Sequence, residues 1–176
     1  MKTLIASLMI FCAGLSSAFA QSALDKFFSE YSRDERFTVV EIKPRLFSLM
    51  AEVANDDQDD FDSVITNLTG LKVLAADNVT NGLTMFKKAG AKLEKNRYEE
   101  LLYVHKPNKT EVRFYIDEDK SGKIKELVLL SASPTNFVML SITGNLDLDK
   151  ISKLSGSADI PGMEDLDKVG GKKKKE

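Results

Sequence analysis

The sequence predicts an α+β fold: a two-layer sandwich with helices on one face of a mostly antiparallel sheet of about six strands. Three observations predict it. Up to residue 96, segments with helical spacing alternate with short β-branched runs. From residue 98 onward, four β-like runs follow one another with only short turn signals between them. A single helical pattern then closes the folded region, and helices first with strands later is the order of an α+β chain.

The elements follow in order. In "SALDKFFSEYSRDERF" (22–37), Leu24, Phe27, Phe28 and Tyr31 share one helical face, with Ser22 as N-cap. "FTVVEI" (37–42) is β-branched and reads as a strand. Pro44 opens a second helix, where its fixed φ suits the first turn, and Leu46, Leu49, Met50 and Val53 form the apolar stripe. "NDDQDD" (55–60) is an acidic loop whose last Asp residues cap the next helical pattern. That pattern carries Phe61, Val64, Ile65 and Leu68 and stops at Gly70.

"LKVLAA" (71–76) is a second strand, and "LTMFKKAGAKLEKN" (83–96) an amphipathic helix with Leu83, Phe86, Ala89 and Leu93 inward. Gly90 either weakens this helix or admits a close neighbour. The runs "YEELLYVHK", "EVRFYID", "IKELVLLSAS" and "FVMLSIT", joined by "PNKT", "DKSGK" and "PTN", read as an antiparallel meander. "NLDLDKISKLSG" is a terminal helix capped at or near Asp147.

The chain ends set the boundaries. Lys2 and a short apolar run precede "SSAFAQ", in which Ala18 and Ala20 occupy the small-residue positions of a secretory cleavage site. Residues 1–20 are therefore expected to be a signal peptide, cleaved between Ala20 and Gln21, with export to the periplasm or the medium. The apolar run is too short to span a bilayer, so the mature chain is expected to have no transmembrane segment. Residues 21–156 form one domain, and residues 157–176, polar and ending in "GGKKKKE", a disordered Lys-rich tail.

Of the 176 residues, 43% are hydrophobic and 30% charged, an ordinary globular composition. The one cysteine, Cys12, lies inside the signal and follows Phe11 rather than the small residue a lipobox needs. The mature chain would then hold no disulfide, thiolate nucleophile or Cys-based zinc site. Without Lys2 it carries 24 basic and 27 acidic residues, and a weakly acidic chain is not a nucleic-acid binder by charge.

A resemblance follows from "LDKFFSEY", "TVVEIKPRLFSLM", "YEELLYV", "KIKELVLL" and "FVMLSITGNLDLDKISKL". Over residues 22–154 these resemble the domain of unknown function 4252, a family of mostly exported proteins of Bacteroidetes-type bacteria. The most specific parts are "KELVLL" and "SITGNLDLDKI". The resemblance implies export and a fold; it supplies no activity, cofactor or catalytic residue.

Four groups of residues invite chemistry. In "YIDEDKSGKIKEL" (115–127), Asp117, Asp119, Ser121 and Gly122 match the first half of a calcium loop, but position twelve is Val128, not a carboxylate. The flanks are strands, so the same residues read as a hairpin turn. His105, the sole histidine, alternates with Leu101 and Tyr103 and has no nucleophile motif to serve. Asp56, Asp57, Asp59 and Asp60 offer oxygens without ligand spacing. The four lysines at 172–175 suit an anionic surface or merely solubility. Asn67, Asn78 and Asn108 head N-x-T sequons, and Asp62, Ser63 and Val64 match a bacterial O-glycosylation sequon.

"LVLL" (127–130) and "FVML" (137–140) are apolar on both faces of their strands, whereas a sheet covered on one side should alternate. Either a further element covers the second face, or Leu127, Leu129, Phe137 and Met139 mark an interaction surface. The resulting expectation is a non-enzymatic envelope protein that binds an envelope partner or self-associates through that face, without a cofactor. The alternatives are a small hydrolase using His105 with carboxylates, and a weak divalent-cation binder.

Overall fold

A computed structural model describes residues 23–53, 66–155 and 161–168. The elements are α1 (Ala23–Tyr31), β1 (Thr38–Ile42), α2 (Pro44–Val53), β2 (Leu68–Ala76), α3 (Gly82–Lys95), β3 (Glu99–His105), β4 (Glu111–Glu118), β5 (Ile124–Ala132), β6 (Phe137–Leu146), α4 (Leu148–Ser155) and a 3-10 turn (Met163–Lys168). The six strands form one sheet in the order β1-β2-β6-β5-β4-β3, with every neighbouring pair antiparallel. This is the expected α+β fold. After β2 the chain crosses by α3 to the far edge, then returns as the β3–β6 meander until β6 closes on β2.

One face of the sheet presents Leu74, Tyr115, Val128, Leu130, Phe137 and Met139 to α1 and α3. Helical spacing supplies the cover: Leu24, Phe27 and Phe28 from α1, and Met85, Phe86, Ala89 and Leu93 from α3. Gly90 admits Tyr115, since a Cβ there would stand 3.0 Å from the phenol oxygen. The close approach, not weakness, is the reason for the glycine. Glu30 of α1 pairs with Lys88 and Lys92 of α3, which ties the two helices together.

The other face presents Phe114, Leu127, Leu129, Leu140 and Ile142, and it is also covered. Asp147 caps α4 by accepting hydrogen bonds from the Asp149 and Lys150 amides at 3.0 and 3.4 Å. The helix then buries Ile151, and the 3-10 turn buries Met163 and Leu166. Gly162, at φ 100°, lets the turn descend until a Cβ would lie 3.1–3.2 Å from Ser131, Leu129 and Val112. Lys106 holds the turn from outside, 2.8 Å from Glu164 and 2.9 Å from Asp165. The tail expected from residue 157 is thus corrected for 161–168: two apolar residues three apart have a sheet face to bury against. Residues 157–160 and 169–176 lie outside the described residues.

Two local expectations also change. Leu68 and Gly70, read as the end of a helix, belong to β2, because Leu68 pairs with Gly144 and Gly70 with Thr143 of β6. Strand pairing overrides the local pattern there; Phe61, Val64 and Ile65 lie outside the described residues. In α2 the expected inward stripe is turned out: Phe47 is buried, while Leu46, Leu49 and Met50 are exposed.

Candidate functional site

β1 is an edge strand, paired only with β2 among the described residues, and its middle residues Val39 and Val40 are both exposed. Their side chains alternate across the pleat, so they leave the edge toward opposite faces of the sheet. One residue, Lys43, separates β1 from α2. At about 100° per residue, the apolar arc of α2 runs from Leu49 through Leu46 and Met50 to Phe47 and Ala51. A helix ordinarily buries the middle of such an arc. Here only the Phe47 flank is buried, and the middle, near Met50, faces outward. Val39, Val40, Leu46, Leu49 and Met50 are each 37–46% exposed, and Tyr103 is the one other large apolar residue so exposed among the described residues.

A second feature is a buried polar cluster. The apolar alternation on the α1-covered face stops at Lys72, Glu126 and Ser141, which the register places close together: Lys72 opposes Ser141, and Glu126 opposes Thr143. Glu126 is only 8% exposed. Its carboxylate accepts a hydrogen bond on each oxygen, from the Tyr98 and Ser141 hydroxyls, each at 2.6 Å. Charge-assisted bonds of this kind offset the cost of burying the carboxylate. Burial, and then the adjacent Glu126 charge, push the Tyr98 phenol well above its ordinary range.

Lys72 pairs with Asp25 of α1 and reaches Glu41 of β1 at 3.8 Å. Asp25, Glu41, Pro44, Lys72, Ser141 and Thr143 help line a cleft of about 320 Å³. Chemically the cluster is an anchor: each Glu126 oxygen holds a hydroxyl donor, and Lys72 holds α1 to the sheet. A second cleft, about 440 Å³, lies between Asn67, Asn145, Asp147 and Lys150 at the start of α4.

The residues singled out from sequence fall as follows. Leu127 and Leu129 lie under α4 and the 3-10 turn, while Phe137 and Met139 face α1 and α3, and all four are buried. The expected interaction surface is therefore corrected: the four residues point to opposite faces, and both faces are covered. The 115–127 stretch is a hairpin turn. Asp119 Oδ1 accepts from the Ser121 amide at 2.7 Å, the Ser121 hydroxyl at 2.6 Å and the Lys123 amide at 3.1 Å. Gly122 takes the positive φ of 78° that the turn requires. The Ser121 hydroxyl and the backbone amides hold the Asp119 carboxyl below its ordinary value. Asp117 pairs with Lys125 at 2.9 Å. The carboxylates thus serve the hairpin, and no group of three or more potential metal ligands occurs among the described residues.

His105 is exposed at the end of edge strand β3, opposite Glu111, and lines neither cleft. Asn67, Asn78 and Asn108 are exposed. Asp56, Asp57, Asp59, Asp60, the Asp62–Val64 sequon, Cys12 and the 172–175 lysines lie outside the described residues. No helix among the described residues is long and apolar enough to cross a membrane.

Sequence reasoning missed the exposed edge and the buried carboxylate. The signal for the edge was an apolar arc on α2 too wide for one packing contact. The signal for the carboxylate was Glu126 itself, an acid at the head of the two-faced apolar run of β5.

Residues 31–154 match the family described as Domain of unknown function (DUF4252), and the chain belongs to that family. The match runs from the end of α1 through nearly all of α4, so the 3-10 turn and most of α1 fall outside it. No curated protein and no solved structure matches the chain.

Proposed function

For this DUF4252 protein we propose a non-enzymatic role at the cell envelope: after export it acts by binding through the β1–α2 edge. The observation that carries this is the gathering, among the described residues, of five of the six exposed large apolar residues into the stretch from Val39 to Met50. Monomeric proteins scatter such residues, and their gathering on an open strand edge and the helix that follows it favours a contact surface. An edge strand adds backbone hydrogen bonds to the apolar contact, which is how strand-addition binding works. Chemistry is a poor fit by comparison, since the sole histidine is exposed at an edge and the buried carboxylate is already engaged by two hydroxyls.

The test is site-specific photo-crosslinking in the producing cell. A photoreactive side chain at Val40 or Leu49 is expected to give a discrete adduct, while one at the exposed polar positions Lys95 or Lys120 gives none. Equal adducts from all four positions, or none from Val40 and Leu49, would refute the surface. Export is checked separately: the envelope fraction should contain a chain that begins at Gln21.

A further inference from the structure

We propose that the 3-10 turn and the two residues before it form a strap clipped shut by one ammonium group, and that loss of the Lys106 charge opens this strap as a unit while the rest of the domain stays folded. The device sits toward the β3 side of the sheet, at the opposite end of the strand order from β1, and does not depend on the reading of the β1–α2 edge.

The strap touches the sheet closely but is bonded to it at one point. Residues 161–168 approach β4 and β5 until a Cβ at Gly162 would meet Ser131, Leu129 and Val112. Yet among the described residues no backbone hydrogen bond runs from the strap to a strand. The Gly162 amide donates at 2.8 Å to the Glu164 carboxylate, and the Asp165 amide donates at 3.1 Å to the Gly162 carbonyl, so both bonds stay inside the strap. Lys168 likewise pairs with Asp165 of the same turn. The polar links that leave the strap, among the described residues, end on a single atom, Lys106 Nζ, which reaches Glu164 and Asp165. Met163 and Leu166 supply the apolar part of the seat.

The charge on Lys106 matters because of what it offsets. Asp165 is buried, and both cations that face it are lysines. The other buried carboxylate, Glu126, is instead held by two neutral hydroxyls. Lys168 travels with the strap, so Lys106 alone distinguishes the closed state from the open one. With Lys106 neutral, the closed strap would bury a carboxylate that has lost one of its two cations, and removing one partner of a buried pair is strongly unfavourable. Opening relieves this by returning Asp165 to water. Lys106 is a fixed post for the clip: its amide donates to the Thr110 carbonyl at 2.9 Å, and its own carbonyl accepts from the Lys109 amide at 3.0 Å, within the tight turn between β3 and β4. Its side chain is 32% exposed, so the charge can be removed without the strap opening first. Opening uncovers Val112 and Leu129 on the second sheet face, a sub-global change of the kind that short, sparsely bonded segments undergo.

Peroxide footprinting of the full chain tests the proposal, because Met163 belongs to the strap whereas Met85 and Met139 are buried on the opposite sheet face. All three are expected to be protected in the parent. Lys106→Gln should speed oxidation of Met163 by about tenfold or more and leave Met85 and Met139 protected. Lys106→Arg keeps the charge and should hold Met163 to within about threefold of the parent rate. Gly162→Ala opens the strap by a second route with Lys106 intact, since φ 100° and contacts of 3.1–3.2 Å leave no room for a methyl group, and it too should expose Met163 alone. Protection of Met163 in Lys106→Gln overturns the clip. Equal acceleration in Lys106→Gln and Lys106→Arg places the effect in packing and overturns the role of the charge. A joint rise of Met163, Met85 and Met139 in Lys106→Gln or Gly162→Ala overturns the separate opening, because the strap would then leave only when the whole domain unfolds.

Discussion

Leu166→Ala measures whether the 3-10 turn is part of the core. Leu166 is fully buried against the sheet face that carries Phe114, Leu127 and Leu129. Truncation of a buried leucine removes its transfer free energy and leaves a cavity, together about 2–5 kcal/mol. The turn is a short surface segment, so part of the cavity can close by its settling or lifting away, which points to the lower end, about 2–3 kcal/mol. For a domain of this size each kcal/mol lowers the midpoint temperature by about 2–4 °C, so the variant should melt about 4–12 °C below the parent. Urea unfolding with an unchanged slope gives the free energy directly. Leu46→Ala is the control, since an exposed leucine should change stability by about 0.5 kcal/mol or less. A Leu166→Ala value within about 0.5 kcal/mol of the parent would mean that the turn does not cover the second face, and the reasoning would fail.

Other perturbations follow from the same contacts. Tyr98→Phe leaves one Glu126 oxygen without its donor in a nearly buried site, and should cost about 1–3 kcal/mol in urea unfolding. Ser141→Ala should cost a similar amount, and the double variant should depart from additivity because both donors serve one carboxylate. Acid should weaken the docking of the turn. Burial alone would raise the Asp165 pKa, but hydrogen bonds from Lys168 and Lys106 outweigh it and hold the carboxyl below its ordinary value of 3.8. A carboxyl whose folded pKa is lowered contributes stability above its unfolded pKa and loses that contribution as pH falls through the folded one. The urea midpoint should therefore fall as the pH drops below about 4, and fall less in Asp165→Asn than in the parent. Equal acid sensitivity in the two proteins would remove Asp165 from the account.

The fold was legible where periodicity was long. The four runs after residue 98 alternate or stay apolar between clear turn residues, and all four are strands. The helical faces of α1 and α3 read correctly because Phe27, Phe86, Ala89 and Leu93 recur at the helical period and all are buried. Two-faced apolar strands were legible as a feature but not as an answer. The covering residues Met163 and Leu166 sit in a polar, Gly-containing stretch with no period long enough to see. The outward turn of α2 was hidden for another reason: amphipathicity states which residues are apolar, and only tertiary contacts decide which flank of the arc is buried. Tyr98, Glu126 and Ser141 are far apart in sequence; the β5–β6 register brings Glu126 near Ser141, and Tyr98 reaches Glu126 from the residue before β3.

The central claim is that the apolar surface of this protein lies on the β1–α2 edge and not on its central strands. Methionine oxidation tests it most directly, because the thioethers sample both places and peroxide attack follows exposure. Met50 is exposed on α2, whereas Met85 and Met139 are buried on one sheet face and Met163 on the other. At high dilution, peptide mass spectrometry is expected to show Met50 oxidising first and the other three surviving until the protein unfolds. Oxidation of Met139 or Met163 at the rate of Met50 would contradict the claim.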